Sequence, residues 1–248
     1  MKLSKNTVLI TGGSAGIGFA IAQKLTAQGN KVIITGRNRE RLDKALAQLP
    51  QATGIVSDVA DEQDVRSLVT RLEKEFPDLN VVINNAGRAI LYSLADSKAN
   101  AYSNAADELH TNYLSVIRLN ELLLPLLQRQ PDASIVNVSS IVAFAPNASL
   151  SSYGASKAAL HSYSQSLRIA LQDTNIKVFE LMPPLVDTEF SQEIGGSKGI
   201  PAAAVADALL DAFRNNTFEI HVGGTADFYK LYLSSPELAL QTINARVG

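Results

Sequence analysis

Val8-Leu9-Ile10-Thr11-Gly12-Gly13-Ser14-Ala15-Gly16-Ile17-Gly18 decides the fold. A short apolar run reads as a buried strand, and the glycine-rich stretch after it reads as the turn into a first helix. Glycines there let the chain turn tightly and let the backbone approach a pyrophosphate. The helix start then offers unpaired N–H groups and a favourable dipole to the same anion. The spacing is G-x-x-x-G-x-G, carried by Gly12, Gly16 and Gly18, and differs from the common G-x-G-x-x-G fingerprint. A purely structural corner would use glycines too; the position directly after the first strand favours a dinucleotide turn.

Outward from this turn, short β-branched runs alternate with helical patterns. Val8–Ile10, Lys31–Thr35, Gly54–Ser57, Val81–Asn84, Ser134–Ser139 and Ile176–Met182 read as strands, and Phe218–Val222 adds a seventh. Leu42, Ala45, Leu46 and Leu49 recur at helical spacing, as do Val65, Leu68, Val69, Leu72 and Phe76. This alternation predicts an α/β protein: a doubly wound parallel sheet of about seven strands with helices on both faces. Ligands of such sheets sit beyond the carboxyl ends of the strands. No linker or repeat interrupts the chain, so residues 1–248 are expected to form one dinucleotide-binding and catalytic domain. The glycine-containing stretch 183–201 is a candidate lid, a surface connection being the other reading. A helix is expected from about Pro201, and a helical C-terminus broken at Pro236.

Composition bounds the function classes. At 248 residues and 46% hydrophobic, the chain can bury one substantial core. A net charge of −2 without long single-sign runs gives no sign of a nucleic-acid or anionic-membrane surface. The absence of cysteine excludes disulfides and thiolate chemistry and fits a reducing cytoplasm. From Met1-Lys2-Leu3 onwards no apolar run approaches the roughly 20 residues a membrane span needs. His110, His161 and His221 show no metal spacing and read as structural or surface residues.

The end of the second strand speaks to cofactor choice. A carboxylate there would bind a ribose 2′-hydroxyl, but the chain has Thr35-Gly36-Arg37-Asn38-Arg39. A guanidinium pairs with a 2′-phosphate, so Arg37 argues for NADP(H) over NAD(H). Ser14 and Asn38 are possible partners, Arg39 and Arg41 outer helpers, and Asp58 with Val59 is placed to meet the adenine. The catalytic signal is Tyr153-Gly-Ala-Ser-Lys157, with Ser140 thirteen residues upstream. On a helix, i and i+4 share a face, and an ammonium beside a phenol favours the phenolate, lowering a pKa near 10. That makes Tyr153 a candidate general acid or base.

Taken together, these motifs resemble the short-chain dehydrogenase/reductases, with similarity from Thr7 to about Thr188. The matching elements are the Thr11–Gly18 turn, Asp58, Asn84-Asn85-Ala86-Gly87, Asn112, Ser140, Tyr153 with Lys157, and Pro183 to Thr188. The resemblance implies a Rossmann fold and a carbonyl/alcohol oxidoreductase. It implies Tyr153 as proton donor or acceptor, and Ser140 bonded to the same substrate oxygen. Lys157 would hold the nicotinamide ribose and lower the tyrosine pKa. Asn112 would position a water leading to solvent. Gly12, Gly16 and Gly18 would bring the backbone to the pyrophosphate, with Ser14 and Ile17 of the same turn also cofactor-binding. Asn85, Ala86 and Gly87 would close over the adenosine side, and Pro183, Val186 and Thr188 would meet the nicotinamide. Ser139 competes with Ser140, but adjacent strand residues face opposite ways, and the family's spacing to the tyrosine selects Ser140.

Pro183-Pro184 replaces the family's usual Pro-Gly, removing an N–H and stiffening the start of the lid. With the Gly-Gly-Ser-Ala-Gly-Ile-Gly turn, it is similar to the DltE-like subgroup. Ile141, Val142, Ala143, Phe144, Leu91, Tyr92, Leu185 and Phe190 suggest an apolar pocket for a neutral small-molecule carbonyl, with Arg88 as the one nearby cation. Leu119, Leu122, Leu123, Leu126, Leu160 and Leu167 read as exposed on two long helices. The resemblance implies that this helix pair forms the interface of a homodimer or homotetramer, burial inside the monomer being the other reading of some of these leucines. A non-catalytic NADP(H)-binding sensor, or a dehydratase or epimerase on the same scaffold, are the alternatives.

Overall fold

In a computed structural model the chain is described over residues 2–245; Met1 and 246–248, within the expected domain range, lie outside the described residues. Six strands come first in the chain: β1 (Thr7–Ile10), β2 (Lys31–Gly36), β3 (Thr53–Val56), β4 (Leu79–Asn84), β5 (Ala133–Val138) and β6 (Ile176–Met182). Two short strands, β7 (Val186–Asp187) and β8 (Ile200–Pro201), pair with each other, and β9 (Glu219–His221) completes the main sheet. That seven-stranded sheet has the order β3-β2-β1-β4-β5-β6-β9, every pair parallel. Its central strands are apolar on both faces, as β1 shows with every residue buried, because helices cover both sides.

One face packs against α1 (Gly16–Ala27), α2 (Arg39–Gln48) and α7 (Ala202–Asn215). Ile21, Leu25, Leu42, Leu209 and Phe213 fill that layer without exposed surface. The other face packs against α3 (Glu62–Glu75) and α5 (Ser115–Gln128), through Val65, Leu68, Leu72, Leu119 and Leu123. Also on that side stand α4 (Ala101–Leu109), which runs through a π-helical turn at His110–Leu114 into α5, and α6 (Ser151–Ala170). Asn38 and Asp61 cap α2 and α3 by accepting from Arg41 N and Asp64 N. The C-terminus forms α8 (Thr225–Ser234) and α9 (Pro236–Asn244), with Pro236 at the first turn of α9, where a missing N–H costs nothing.

The leucines read as an exposed interface are mostly core: Leu119, Leu123, Leu126 and Leu160 are buried, and Leu122 and Leu167 are partly so. They carry no argument for a homo-oligomer, because a long amphipathic helix over a sheet needs those residues inside. No described helix is long and apolar enough to cross a membrane.

The strand order reverses between β1 and β4, and the loops leaving these strands cross at their carboxyl ends. Thr11 Oγ1 accepts from Asn85 N (3.0 Å) and Ala86 N (3.1 Å), while Asn85 Nδ2 donates to Thr11 O (2.9 Å) and Gly12 O (3.1 Å). This exchange locks the glycine-rich turn to the end of β4 and fixes one wall of the cleft above.

Candidate active site

A cleft of about 950 Å³ runs along the carboxyl ends of the strands. Its floor is the glycine-rich turn. Gly12 adopts φ +63°, and a Cβ there would stand 2.9 Å from Ala86 Cα; one on Gly18 would meet Gly12 O at 2.6 Å. Both glycines are therefore demanded by close packing of main chain. Ala15 caps α1 with no side-chain acceptor, and the first turn holds no acidic residue. The helix thus points free N–H groups and its positive end into the cleft, a setting suited to a phosphate. Gly12, Gly16, Ile17, Asn85, Ala86 and Gly87 all line the cleft, and Arg37 stands exposed at its rim.

The remaining cofactor candidates separate. Ser14 opens onto an adjoining hollow of about 170 Å³ with Arg41 and Glu189, whose side chains form an ion pair from α2 to the 183–201 segment. Asn38 uses its side-chain oxygen as the α2 cap. Asp58 Oδ1 accepts from Ala60 N (2.9 Å), Val59 is buried, and neither lines the cleft. Arg39 lies exposed on the first turn of α2.

Ser140, Tyr153 and Lys157 come together on the opposite wall. Ser140 follows β5 with extended backbone and faces the Tyr153 hydroxyl, to which it is hydrogen-bonded. Ser139 points the other way and donates to Glu180, as strand alternation requires. Lys157 is buried, donates to Val138 O (2.8 Å) and lies 5.6 Å from the Tyr153 ring centroid. Burial prevails in the titration of both groups. It pushes the Tyr153 phenol up to about 12, against the lowering by the Ser140 hydrogen bond and with help from the Glu108 carboxylate. It pushes the Lys157 ammonium down to about 8, against the Glu180 carboxylate. The expected depression of the tyrosine by the lysine is not seen: the Ser140 hydrogen bond is what lowers the phenol, and desolvation prevails over it.

Asn112 sits in the π-helical turn, fully buried. Its Nδ2 donates to Arg88 O (2.8 Å) and Ser156 Oγ (2.9 Å), and its Oδ1 accepts from Arg88 N (2.8 Å). A Cβ on Gly87 would stand 3.3 Å from Asn112 Oδ1 and 3.7 Å from Lys157 Nζ, so only glycine leaves the space between them open. Arg88 itself turns toward Asp107 (3.7 Å) and does not line the cleft.

The far end of the cleft is mostly apolar. Leu91, Ile141, Val142, Leu185 and Phe190 line it as expected, and Phe190 lies 6.1 Å from the Tyr153 ring. Tyr92 instead donates to Ser152 Oγ (2.7 Å), and Phe144 joins an aromatic group with His161, His221, Tyr229 and Tyr232. Pro183, Val186 and Thr188 line the cleft from the segment that was read as a lid, which carries β7, β8 and two 3₁₀ turns. Leu150, Phe228, Thr242 and Ile243, which carry no local sequence signal, close the same end. Asn147 Nδ2 donates to Ile243 O (3.0 Å), Ala148 N to Asn244 Oδ1 (2.8 Å) and Asn244 Nδ2 to Pro146 O (2.9 Å), bringing α9 against the loop before α6. Glu108 was also missed: this buried carboxylate accepts from Ile90 N (2.7 Å) and Ser152, and burial raises it. Among the described residues no group of three or more His, Cys, Asp or Glu could hold a metal ion.

Comparison with known proteins agrees with this geometry. The short chain dehydrogenase family model matches residues 6–199. The uncharacterized oxidoreductase DltE of Bacillus subtilis (strain 168) is 43% identical over 225 residues, 89% of each chain. A short chain dehydrogenase from Burkholderia cenocepacia J2315 in complex with NADP superposes with TM-score 0.86 at 25% identity, covering 98% of both chains. A short chain dehydrogenase/reductase from Burkholderia phymatum in complex with NAD gives TM-score 0.87 at 22% identity over 96% of both, a likeness of fold. The chain belongs to the short-chain dehydrogenase/reductase family of oxidoreductases and is DltE-like within it.

Proposed function

We propose that the protein is an NADP(H)-dependent reductase or dehydrogenase that interconverts a small-molecule carbonyl and its alcohol. The observation that carries this reading is convergence: Ser140, Tyr153 and Lys157 line the same cleft as the glycine-rich turn. The glycine cradle and the uncapped start of α1 fit a dinucleotide pyrophosphate. Arg37 at the rim, where a carboxylate would favour an unphosphorylated ribose, supports NADP(H). A bound nicotinamide supplies the hydride.

The side chains supply position and the proton. Ser140 Oγ and the Tyr153 hydroxyl bind the substrate oxygen together. With its phenol pushed up to about 12, Tyr153 holds its proton at neutral pH and donates it to the oxygen of a carbonyl undergoing reduction. The Lys157 ammonium stands behind the ring, holds the cofactor ribose, and stabilises the phenolate left by proton transfer. Asn112 fixes the Gly87–Arg88 backbone beside Lys157. The mostly apolar far end of the cleft favours a neutral substrate. In this reading residues 1–248 act as one catalytic domain, the 183–201 segment closes over substrate, and the protein works in the cytoplasm as a homo-oligomer.

NADPH oxidation by purified protein against a panel of aldehydes, ketones and quinones tests the proposal, with Tyr153→Phe alongside. Turnover is expected to fall by about 10²–10⁴-fold in the variant while NADPH affinity stays close to wild type. Unchanged turnover sinks the proton-transfer role. NADPH binding without turnover on any carbonyl would favour the sensor reading.

A further inference from the structure

Behind Ser140 lies a second set of ionisable side chains that the hydride chemistry does not use. Glu180, in the middle of β6, has no exposed surface. Ser139 Oγ donates to its Oε1, and His161 Nδ1 lies 2.9 Å from Oε2 and 3.1 Å from Oε1. The serine donates to the carboxylate and not to the imidazole, so this is not a nucleophile with its base. Ser139 adjoins Ser140, and His161 follows Lys157 by one helical turn on α6.

Lys157 presents the problem this cluster answers. Its ammonium is buried and donates to Val138 O (2.8 Å), and an unbalanced buried charge is costly. No ion pair reaches it within 4 Å among the described residues. The Glu180 carboxylate is the acid whose charge acts on it, through a strand end that carries Val138 and Ser139 side by side.

Building on the proton-transfer reading above, we propose that Glu180 is a positioning residue. Its carboxylate, held by Ser139 and His161, is the counter-charge that keeps the buried Lys157 ammonium in place behind Tyr153. The surrounding charges fit this role. On α6, Arg168 is tied to Glu219 of β9 (2.9 Å), and the His161 imidazole is what meets Glu180. Burial lowers His221 of β9, whereas the hydrogen bond to Glu180 raises His161. Phe144 packs edge-on against His161 at 5.3 Å, and Tyr229 of α8 stacks 4.5 Å from His221. Removing the anion lowers the proton affinity of Lys157, so the loss of activity at high pH must begin at lower pH.

The test is the Lys157 titration, read by NMR of ¹³Cε-lysine-labelled protein and assigned by loss of the signal in Lys157→Met. The pH profile of kcat/KM for reduction is measured beside it. Glu180→Gln is expected to lower the Lys157 midpoint by about one pH unit and to move the alkaline limb the same way. Glu180→Asp and His161→Gln keep the carboxylate and are expected to keep the midpoint. An unmoved midpoint in Glu180→Gln, or equal drops in Glu180→Gln and His161→Gln, overturns the proposal, since packing would then explain both. Should Glu180→Gln fail to fold, His161→Arg probes the same balance from the partly exposed side. A permanent cation beside Glu180 is expected to lower the midpoint, and no change again overturns it. The NMR midpoint reads Glu180 independently of turnover; a Tyr153→Phe protein that stays active would refute only the underlying mechanism.

Discussion

The glycine-rich wall of the cleft, built from β1, α1 and the end of β4, is held by main-chain contacts and by Thr11 and Asn85, whose side chains reach the neighbouring backbone. The facing wall joins segments 96 and 98 residues apart, the loop before α6 and the end of α9, through the amides of Asn147 and Asn244. The first wall offers backbone donors and almost no freedom in shape. The second offers apolar side chains, among them Phe190 at 52% exposed and Phe228 on α8. Such a division lets a scaffold keep the shape of one wall while the other varies, because side chains can change without disturbing a main-chain lock.

The sharpest way to break this comparison is Gly12→Val. With φ at +63° and Ala86 Cα 2.9 Å from the new Cβ, the turn must move, and dinucleotide affinity is expected to fall by about 100-fold or more. Gly29→Asn is its control: φ is +77°, but nothing lies within 4 Å, so stability should change by no more than about 1 kcal/mol. Fluorescence titration with NADPH and thermal melts read both. Equal damage from the two would show that positive φ, and not the tight main-chain packing, governs the first wall.

A smaller effect is expected at the rim. Arg37→Asp should lower the NADPH-to-NADH affinity ratio by about 10–100-fold, the scale of a charge-assisted hydrogen bond to phosphate. A ratio that does not move removes Arg37 from the 2′-phosphate site. The mildest change tests the second wall. Asn244→Ala removes the bonds to Ala148 N and Pro146 O, at about 1 kcal/mol. KM for a carbonyl substrate is expected to rise several-fold with NADPH affinity unchanged; a matching loss of NADPH affinity would show that the two walls are coupled.

Legibility in the sequence followed the same division. Tyr153 and Lys157 were readable because i, i+4 spacing is a local rule, and Ser140 because the family's spacing chose between two serines that strand alternation turns opposite ways; the structure places all three in the cleft. Asp58 matched the family pattern and Val59 was expected beside it at the adenine, yet neither lines the cleft. The leucines of α5 and α6 read as an interface because periodicity shows which face is apolar and not what covers it. His161 and His221 read as scattered and Glu180 carried no local signal, since their meeting depends on β6 lying beside both β5 and β9.

By itself, then, the chain determined the strand–helix alternation, the parallel sheet, the glycine-rich turn and the tyrosine–lysine helix. Each rests on side-chain periodicity or backbone conformation over a few residues, which short-range sterics and hydrogen bonding enforce. Tertiary structure alone decided the mostly apolar far end closed by α8 and α9, and the burial that sets Tyr153 and Lys157 to about 12 and about 8. It also decided the carboxylate placed behind them. Desolvation and long-range charge depend on what surrounds a group in space, and no local pattern carries that information.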